Sequence, residues 1–381
     1  MSKILAPWLL AAVGTLAFIA APTAAASYKQ KNLVSDQPGL APIVDANLKN
    51  PWGLALSSAG GNLWVSNQAT GTSTIYAGGV AGSPFTSNPL VVSIPGGGNP
   101  VGIVFSGNQD FTVTSGADSG PARFIFSSLS GVVSGWNPAV PLPPPSSNAQ
   151  IGSTTAGAVY TGLALTSSPG ASRLYVADVV GNKIDVFDQS FAPVALAPGA
   201  FTVPGLPANL HPFNIQNLGG TLYATFENVI DPSAGGAVAA FDLKGNFLRK
   251  IVEGGPVSAP WGLALAPSNF GPLSNALLVG NNLGDNRINA FDPLTGQLLG
   301  QLRDANDDAI EINGLWGLQF GNGISVGDTN TLIFSAGIDN GTHGILGTLT
   351  VVPEPSSLAV ALVAGAALLR MPRRCHRRRA T

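Results

Sequence analysis

Side chains with oxygen atoms suited to a metal ion follow several apolar segments of this sequence at comparable places. The main members are Asp178, Glu227, Asn281 and Asp339, accompanied by the amides Asn67, Gln68, Asn228, Asn282 and Asn340. Carboxylate and amide oxygens are the hard ligands that Ca²⁺ takes. A ring of them predicts a calcium site or a catalytic metal site. Alternatively, Asn and Asp occur there because their side chains cap backbone groups in turns.

Two histidines are further candidates for chemistry. His211 lies near the start of a repeated segment and is a possible general base, because histidine titrates near neutral pH. No Gly-x-Ser-x-Gly motif supplies a nucleophile for it, and a turn histidine before Pro212 is the structural alternative. His343 is predicted to lie in a hairpin, with a ligand role as the alternative.

Other motifs carry weaker signals. The acidic residues 304–308, followed by Glu311, lack the glycine and spacing of an EF-hand, so a solvated loop is expected. Glycine clusters such as residues 96–98 lack the lysine or helix of a phosphate-binding loop. Cys375 is the single cysteine, which excludes an intrachain disulfide and a cysteine metal site.

A sequence motif that recurs along the chain indicates the structure that positions the candidate side chains. A motif reading Pro-Trp-Gly-Leu-Ala-Leu at residues 51–56 and again at 260–265 recurs in six copies. Its glycine position falls at residues 53, 102, 162, 214 (an asparagine), 262 and 317, at intervals of 49, 60, 52, 48 and 55 residues. Trp52, Trp261 and Trp316 belong to the motif, which predicts packing between repeats, with sugar stacking as the alternative.

Each copy is followed by a segment with the alternation of a β-strand. These predicted second strands are residues 63–67, 111–114, 174–178, 222–226, 277–281 and 332–336. Third strands ending in Phe-Asp and a fourth strand after a glycine turn complete several repeats. Four strands in about 50 residues predict an all-β fold, a six-bladed β-propeller with four-stranded blades.

The last repeat has three strands, and residues 28–34 form a strand-like segment without a blade. We expect this N-terminal strand to close the last blade, because closure leaves no unpaired edge. The alternative is a flexible N-terminal arm.

Composition supports this interpretation. Only 10% of the 381 residues are charged, and 48 Gly and 30 Pro disfavour long helices. The net charge of -2 hides an uneven distribution, because seven of the 18 basic residues lie near the two ends. The remaining 11 basic against 20 acidic residues give about -9, which excludes nucleic acid as a partner and is compatible with divalent cations.

Residues 1–26 have the features of a secretory signal peptide. Lys3 precedes an apolar stretch, and Ala24-Ala25-Ala26 forms a site for signal peptidase, which predicts cleavage after Ala26. A retained membrane anchor is the alternative. The body, residues 27–351, is then a single domain.

Residues 352–381 combine three features in order. They are the motif Pro353-Glu354-Pro355, an apolar stretch at 358–369 and the basic residues Arg370, Arg373, Arg374, Arg377, Arg378 and Arg379. Twelve apolar residues span about 18 Å as a helix, which is short for a permanent anchor. This order resembles the PEP-CTERM sorting signal, which implies cleavage near the motif by an exosortase and transient membrane association through the helix. A plain tail anchor is the alternative.

The Pro-Trp-Gly-Leu-Ala pattern resembles NHL-type propellers, and residues 27–350 resemble an uncharacterised family of secreted proteins. The resemblance implies an exported protein of a Gram-negative bacterium, found at the cell surface or in the extracellular matrix. We expect a binding or scaffold protein, with exopolysaccharide or another surface protein as partner. The alternative is a calcium-dependent, lactonase-like hydrolase with its metal in the propeller channel.

Overall fold

β-Strands make up nearly all regular structure in the described part of the chain, which in this computed structural model comprises residues 27–57 and 60–352. The first strands are β1 (Ser27–Ser35), β2 (Ile43–Val44), β3 (Pro51–Leu56), β4 (Leu63–Asn67), β5 (Thr72–Ala77), β6 (Thr86–Ser93), β7 (Pro100–Phe105), β8 (Thr112–Ser115), β9 (Asp118–Pro121), β10 (Phe124–Ser128), β11 (Val132–Trp136) and β12 (Gln150–Thr154). The later strands are β13 (Tyr160–Thr166), β14 (Arg173–Asp178), β15 (Lys183–Phe187), β16 (Leu210–Leu218), β17 (Thr221–Asn228), β18 (Gly236–Phe241), β19 (Phe247–Glu253), β20 (Pro260–Leu265), β21 (Leu277–Asn281), β22 (Ile288–Phe291), β23 (Leu298–Gln301), β24 (Leu315–Phe320), β25 (Leu332–Ala336) and β26 (Ile345–Val352). Short 3₁₀ turns lie at Val80–Gly82 and Gly271–Leu273, and one helical turn, α1, at Ile338–Gly341.

Apart from the two-stranded sheet of β8 and β9, the strands form six sheets arranged in a ring, so the chain is a six-bladed β-propeller, as the repeat predicts. From the inner to the outer strand, blade 1 is β3-β4-β5-β6, blade 2 is β7-β10-β11-β12 and blade 3 is β13-β14-β15. Blade 4 is β16-β17-β18-β19, blade 5 is β20-β21-β22-β23 and blade 6 is β24-β25-β26-β1, with β2 beside β1. Each inner strand contacts the next one, and the contact of β24 with β3 closes the circle.

The N-terminal strand supplies the outer strand of blade 6, which confirms the predicted closure. β1 pairs antiparallel with β26 from Ser27 opposite Val352 to Ser35 opposite Ile345. Side chains fasten the segment that follows β1, because Ser35 Oγ donates to the Gly344 carbonyl at 2.9 Å and Asp36 Oδ1 accepts from Gly344 N at 2.9 Å. The chain ends of the described body therefore meet in one sheet.

The core is divided among the junctions between blades. Six clusters of buried apolar side chains each join two neighbouring blades, from blades 1 and 2 round to blades 6 and 1. Period-2 alternation along each strand produces this arrangement, since both faces of a blade pack against a neighbour. A seventh cluster lies among the inner strands and is described below.

The glycine of the repeated motif is required where adjacent inner strands approach. A Cβ atom at Gly53 would lie 2.4 Å from the Val101 carbonyl oxygen, and one at Gly262 would lie 2.4 Å from the Trp316 carbonyl oxygen. Blade 4 carries Asn214 instead, and its Nδ2 donates to the Trp261 carbonyl at 2.7 Å. The repeated motif therefore specifies the spacing of the blades.

Two blades differ from the predicted four-strand pattern. The predicted second strand of blade 2, residues 111–114, is wrong, because β8 pairs with β9 in a separate hairpin and β10 takes that place. The side chains of β10 are all buried, whereas Thr112 and Thr114 are exposed. Blade 3 has three strands. In place of a fourth strand there is an isolated bridge between Phe187 and Pro193, with Val194 N donating to the Val186 carbonyl at 2.8 Å; Pro193 has no N–H to extend this pairing.

Candidate functional site

Twelve residues form a ring at one end of the channel, where each inner strand begins and each second strand ends. In every blade, the residue after the second strand donates its N–H to the carbonyl of the residue before the inner strand, at 2.8 to 3.2 Å. In blade 4 this bond joins Val229 to Asn209, and the place in the ring is taken by His211 and Glu227, which lie directly opposite each other beside Pro212, the residue equivalent to Pro51 and Pro260. We call these residues the mouth ring: Asn50, Gln68, Asn99, Leu129, Val159, Val179, His211, Glu227, Ala259, Asn282, Gly314 and Gly337.

Beneath the mouth ring, aromatic side chains from four inner strands meet at the centre of the propeller. Trp52 stacks on Trp316 with ring centroids 3.5 Å apart, and Trp261 meets them edge-on at 5.9 and 6.0 Å. Phe213 contacts Trp52 and Trp316 at 6.3 and 6.0 Å. We call these four residues the aromatic plug.

The tryptophans therefore pack between blades, as the sequence predicts, and they meet at the centre of the ring. Trp52 and Trp316 are each 8% exposed and Trp261 is 2% exposed, so their faces are covered by one another. A sugar ring has no open tryptophan face on which to stack in this arrangement.

A chain of amide hydrogen bonds joins the plug to the mouth ring. Trp316 Nε1 donates to Asn50 Oδ1 at 3.1 Å, and Asn50 Nδ2 donates to Gln68 Oε1 at 2.8 Å. Gln68 Nε2 then donates to Asn99 Oδ1 at 3.0 Å. Because each amide has a defined donor and acceptor, the orientation of these side chains is fixed across blades 6, 1 and 2.

A cavity of about 550 Å³ opens beside these hydrogen-bonded amides, between blades 5, 6 and 1. We call it the amide cavity, and its lining residues are Asn50, Asn282, Leu283, Asn286, Asn313, Gly314, Trp316, Gly337, Ile338, Asp339, Asn340 and Gly341. Five of these residues carry a side-chain amide, one carries a carboxylate and none carries a cationic group. Its volume lies in the range of small-molecule sites, about 300 to 1,000 Å³.

Blade 4 gives the mouth ring its only titratable side chains. Burial raises the pKa of the Glu227 carboxyl from 4.5 to about 7, and this carboxyl has no hydrogen-bond partner among the described residues. The His211 ring is held by a bond between Nδ1 and the Val179 carbonyl at 2.7 Å, which makes Nδ1 the donor. These two predicted residues are cross-strand neighbours, a relation that the sequence alone does not reveal.

The predicted calcium ligands fall into different structural classes. Asn67, Asp178 and Asn281 are equivalent strand-end residues, lying opposite Pro51, Tyr160 and Pro260. Glu227 lies one position further along, because Phe226 is the residue opposite Pro212. The prediction that Glu227 is equivalent to Asp178 is therefore wrong by one residue.

Two of the four predicted ligands already make turn hydrogen bonds. Asp178 Oδ1 accepts from Gly181 N at 2.9 Å and from Val159 N at 3.1 Å. Asn281 Oδ1 accepts from Ser258 N at 3.1 Å. Asp339 is exposed at the rim of the amide cavity. Over residues 27–57 and 60–352, no three His, Cys, Asp or Glu side chains are grouped to hold a metal ion.

The remaining sequence candidates have structural partners. His343 Nδ1 lies 2.7 Å from Asp36 Oδ2, so this histidine fastens the segment after β1 to the loop before β26. In the acidic loop, Asp304 Oδ1 accepts from Asn306 N and Asp308 N at 2.8 and 3.0 Å. This loop is largely exposed, as the sequence predicts.

Sequence reasoning did not identify Asn50, Asn286 and Asn313 as members of a site. A signal was present for two of them, because Asn50 directly precedes the repeated motif and Asn313 stands just before Gly314-Leu315-Trp316. Asn286 carries no such signal, since it belongs to a loop that reaches the mouth only in the folded ring.

The processing and sorting residues, Ala26, residues 353–355 and the arginines from Arg370 onward, lie outside the described residues, as does the predicted membrane helix at 358–369. Within the part of the chain that is described, no helix has the length and apolar character needed to cross a membrane.

Comparisons with known proteins identify relatives and fold neighbours. The chain is 30% identical over 339 residues to Uncharacterized protein R648 of Acanthamoeba polyphaga mimivirus, covering 86% of this chain and 81% of the viral protein. It is 29% identical over 345 residues to Uncharacterized protein L690 of the same virus, covering 86% of each. No family model matches the chain.

Solved structures share the fold at low sequence identity. A structural genomics protein of unknown function from Bacteroides thetaiotaomicron aligns over 86% of this chain and 76% of its own, with a TM-score of 0.50 and 12% identity. The Dos1 propeller aligns over 81% of this chain and 69% of its own, with a TM-score of 0.42 and 12% identity. Similarity at such low sequence identity indicates a shared architecture and does not indicate a shared activity.

Proposed function

The chain belongs to the same family as Uncharacterized protein R648 of Acanthamoeba polyphaga mimivirus, and we propose that it is an exported protein that binds a ligand at the mouth of the propeller. The mature form acts at the cell surface or in the extracellular matrix. Signal peptidase removes residues 1–26 and an exosortase cuts near Pro353-Glu354-Pro355, in keeping with the resemblance of residues 352–381 to a PEP-CTERM signal.

One observation carries the export proposal. Ser27, the first residue after the predicted cleavage site, pairs with Val352, the last residue before the Pro-Glu-Pro motif. The residues between the two predicted cuts therefore already include the six blades and both strands that seal blade 6.

The mouth supports the binding part of the proposal. Trp316 of the aromatic plug lines the amide cavity, and Asn50 beside it is held by bonds to Trp316 and Gln68. A preformed polar cavity on a rigid scaffold is typical of a binding site. The calcium-dependent hydrolase remains the alternative without a specific observation in its favour.

Export is tested by fractionation of a Gram-negative host that has an exosortase. Three forms are compared: the full chain, a form without residues 2–26, and a form with residues 353–355 replaced by alanine. We expect the full chain outside the cell or on its surface, the leaderless form in the cytoplasm, and the motif variant in the cell envelope. Cytoplasmic full chain would contradict the proposal.

A further inference from the structure

Building on the proposed binding role of the mouth, we propose that the amide cavity is a site for a neutral carbohydrate. The cavity offers five side-chain amides, Asn50, Asn282, Asn286, Asn313 and Asn340, and a single carboxylate, Asp339. An amide presents a donor and an acceptor on one side chain, as does each sugar hydroxyl, so the two groups are complementary.

Several of these groups are open to a ligand. Among the described residues, the side chains of Asp339 and Asn340 have no hydrogen-bond partner, and both are exposed. Asn286 Nδ2 donates to Asn313 Oδ1 at 3.2 Å, which leaves Asn286 Oδ1 as an acceptor and Asn313 Nδ2 as a donor. The open groups thus include both donors and acceptors, the combination that a polyhydroxylated ligand needs.

The inner wall of the cavity is held in place by its neighbours. Asn50 is bonded to Trp316 Nε1 and to Gln68 Oε1, and Asn282 Nδ2 donates to the Leu315 carbonyl at 3.1 Å. The backbone of Gly337 lies so close that a Cβ atom there would be 2.0 Å from Asn50 Oδ1. Preorganised amides lower the ordering cost of binding, which suits a ligand recognised by hydrogen bonds.

Charge selects the class of carbohydrate. No lysine, arginine or histidine lines the cavity, and Asp339 gives it one negative charge. An anionic sugar would find no cationic partner and would be repelled by this carboxylate. A neutral sugar can donate two hydroxyl hydrogens to the same carboxylate. The ligand is bound by hydrogen bonds to the amides and the carboxylate, because the covered tryptophan faces offer no surface for stacking.

The full chain is titrated with the neutral probes cellohexaose, mannohexaose, laminarihexaose and chitohexaose, and with hexagalacturonate as the anionic comparison. Binding is followed by calorimetry and by tryptophan fluorescence, because Trp316 lines the cavity. We expect saturable binding of at least one neutral probe and none of hexagalacturonate. The double variant Asn313→Ala, Asn340→Ala should weaken that binding at least about tenfold.

The matched control is Asn306→Ala, an exposed asparagine of the acidic loop outside the cavity, and its affinity should equal that of the unchanged protein. Binding to no neutral probe, preference for hexagalacturonate, or equal affinity of the double variant would overturn the carbohydrate proposal. If the full chain instead binds a peptide from an array and the double variant does not, the mouth is a binding site and the carbohydrate assignment alone fails. Cytoplasmic location would contradict the proposed function separately.

Discussion

Replacing Glu227 by glutamine is expected to stabilise the protein at alkaline pH and to leave its stability near pH 4.5 almost unchanged. Burial raises the pKa of this carboxyl from 4.5 to about 7. Since the folded-state pKa is the raised one, the contribution of the carboxyl to stability is fully present below pH 4.5 and is lost as the pH rises through about 7. The loss corresponds to about 3 kcal/mol, because one pKa unit is roughly 1.4 kcal/mol.

The geometry indicates that glutamine fits this position. Gln68 and Asn282 occupy the equivalent place in blades 1 and 5, and each donates a side-chain N–H to the next blade, at 3.0 and 3.1 Å. A glutamate can donate in this way only when it is protonated. Glutamine stays uncharged and able to donate at every pH, as Glu227 does only when protonated. At about pH 8 the variant should therefore be more stable than the unchanged protein by up to about 3 kcal/mol.

The measurement is guanidinium unfolding of the protein and of Glu227→Gln at about pH 5 and about pH 8, followed by tryptophan fluorescence. Glu311→Gln is the matched control, because Glu311 is an exposed carboxylate paired with Arg287 and such surface pairs contribute little. A variant that gains nothing at the higher pH, or gains equally at both, would show that the Glu227 carboxylate is solvated or paired in the folded protein.

Three more outcomes follow from the same contacts. Asp36→Asn should destabilise the protein by about 1 to 3 kcal/mol at pH 7, because the buried carboxylate bonds His343 and Gly344 N. Burial is the largest single influence on the pKa of Asp36 and raises it, but the hydrogen bonds from His343, Gly344 and Gln37 together leave this pKa lowered, so the difference should shrink as unfolding is measured at more acid pH. Gly262→Ala should lower the melting temperature, since its Cβ would lie 2.4 Å from the Trp316 carbonyl oxygen and overpacking costs about 1 to 3 kcal/mol. Calcium should leave the melting temperature unchanged, because Asp178 Oδ1 and Asn281 Oδ1 already accept hydrogen bonds from backbone N–H groups; a concentration-dependent rise would contradict this expectation.

Local sequence patterns were sufficient to predict the ring but not all its strands. The Pro-Trp-Gly motif could be counted because each copy makes the same close contact with its neighbour, as at Gly53 and Gly262. The closing strand was predicted by counting strands, since the last repeat has only three and the strand-like segment at residues 28–34 belongs to no repeat. The hairpin β8-β9 was missed because its alternation resembles that of β10, and only burial in the ring distinguishes them.

The candidate site was harder to predict because distant residues build it. Asn50, Asn282, Asn313 and Asn340 come from three blades, and only ring closure brings them to one cavity. The sequence did identify Glu227 and His211 as unusual, but their cross-strand pairing depends on the register of β16 and β17. The repeat predicted that the tryptophans pack between blades, but it does not reveal that they meet at the centre.

Export and processing at both ends are tested most directly by the intact mass and N-terminal residue of the protein recovered from outside the producing cells. We expect a chain that begins at Ser27 and ends within or just before the Pro353-Glu354-Pro355 motif, so that the ring sealed by β1 and β26 is complete and both terminal signals are gone. An exported chain that begins upstream of Ser27, or that retains the arginine cluster from Arg370 onward, would contradict this expectation.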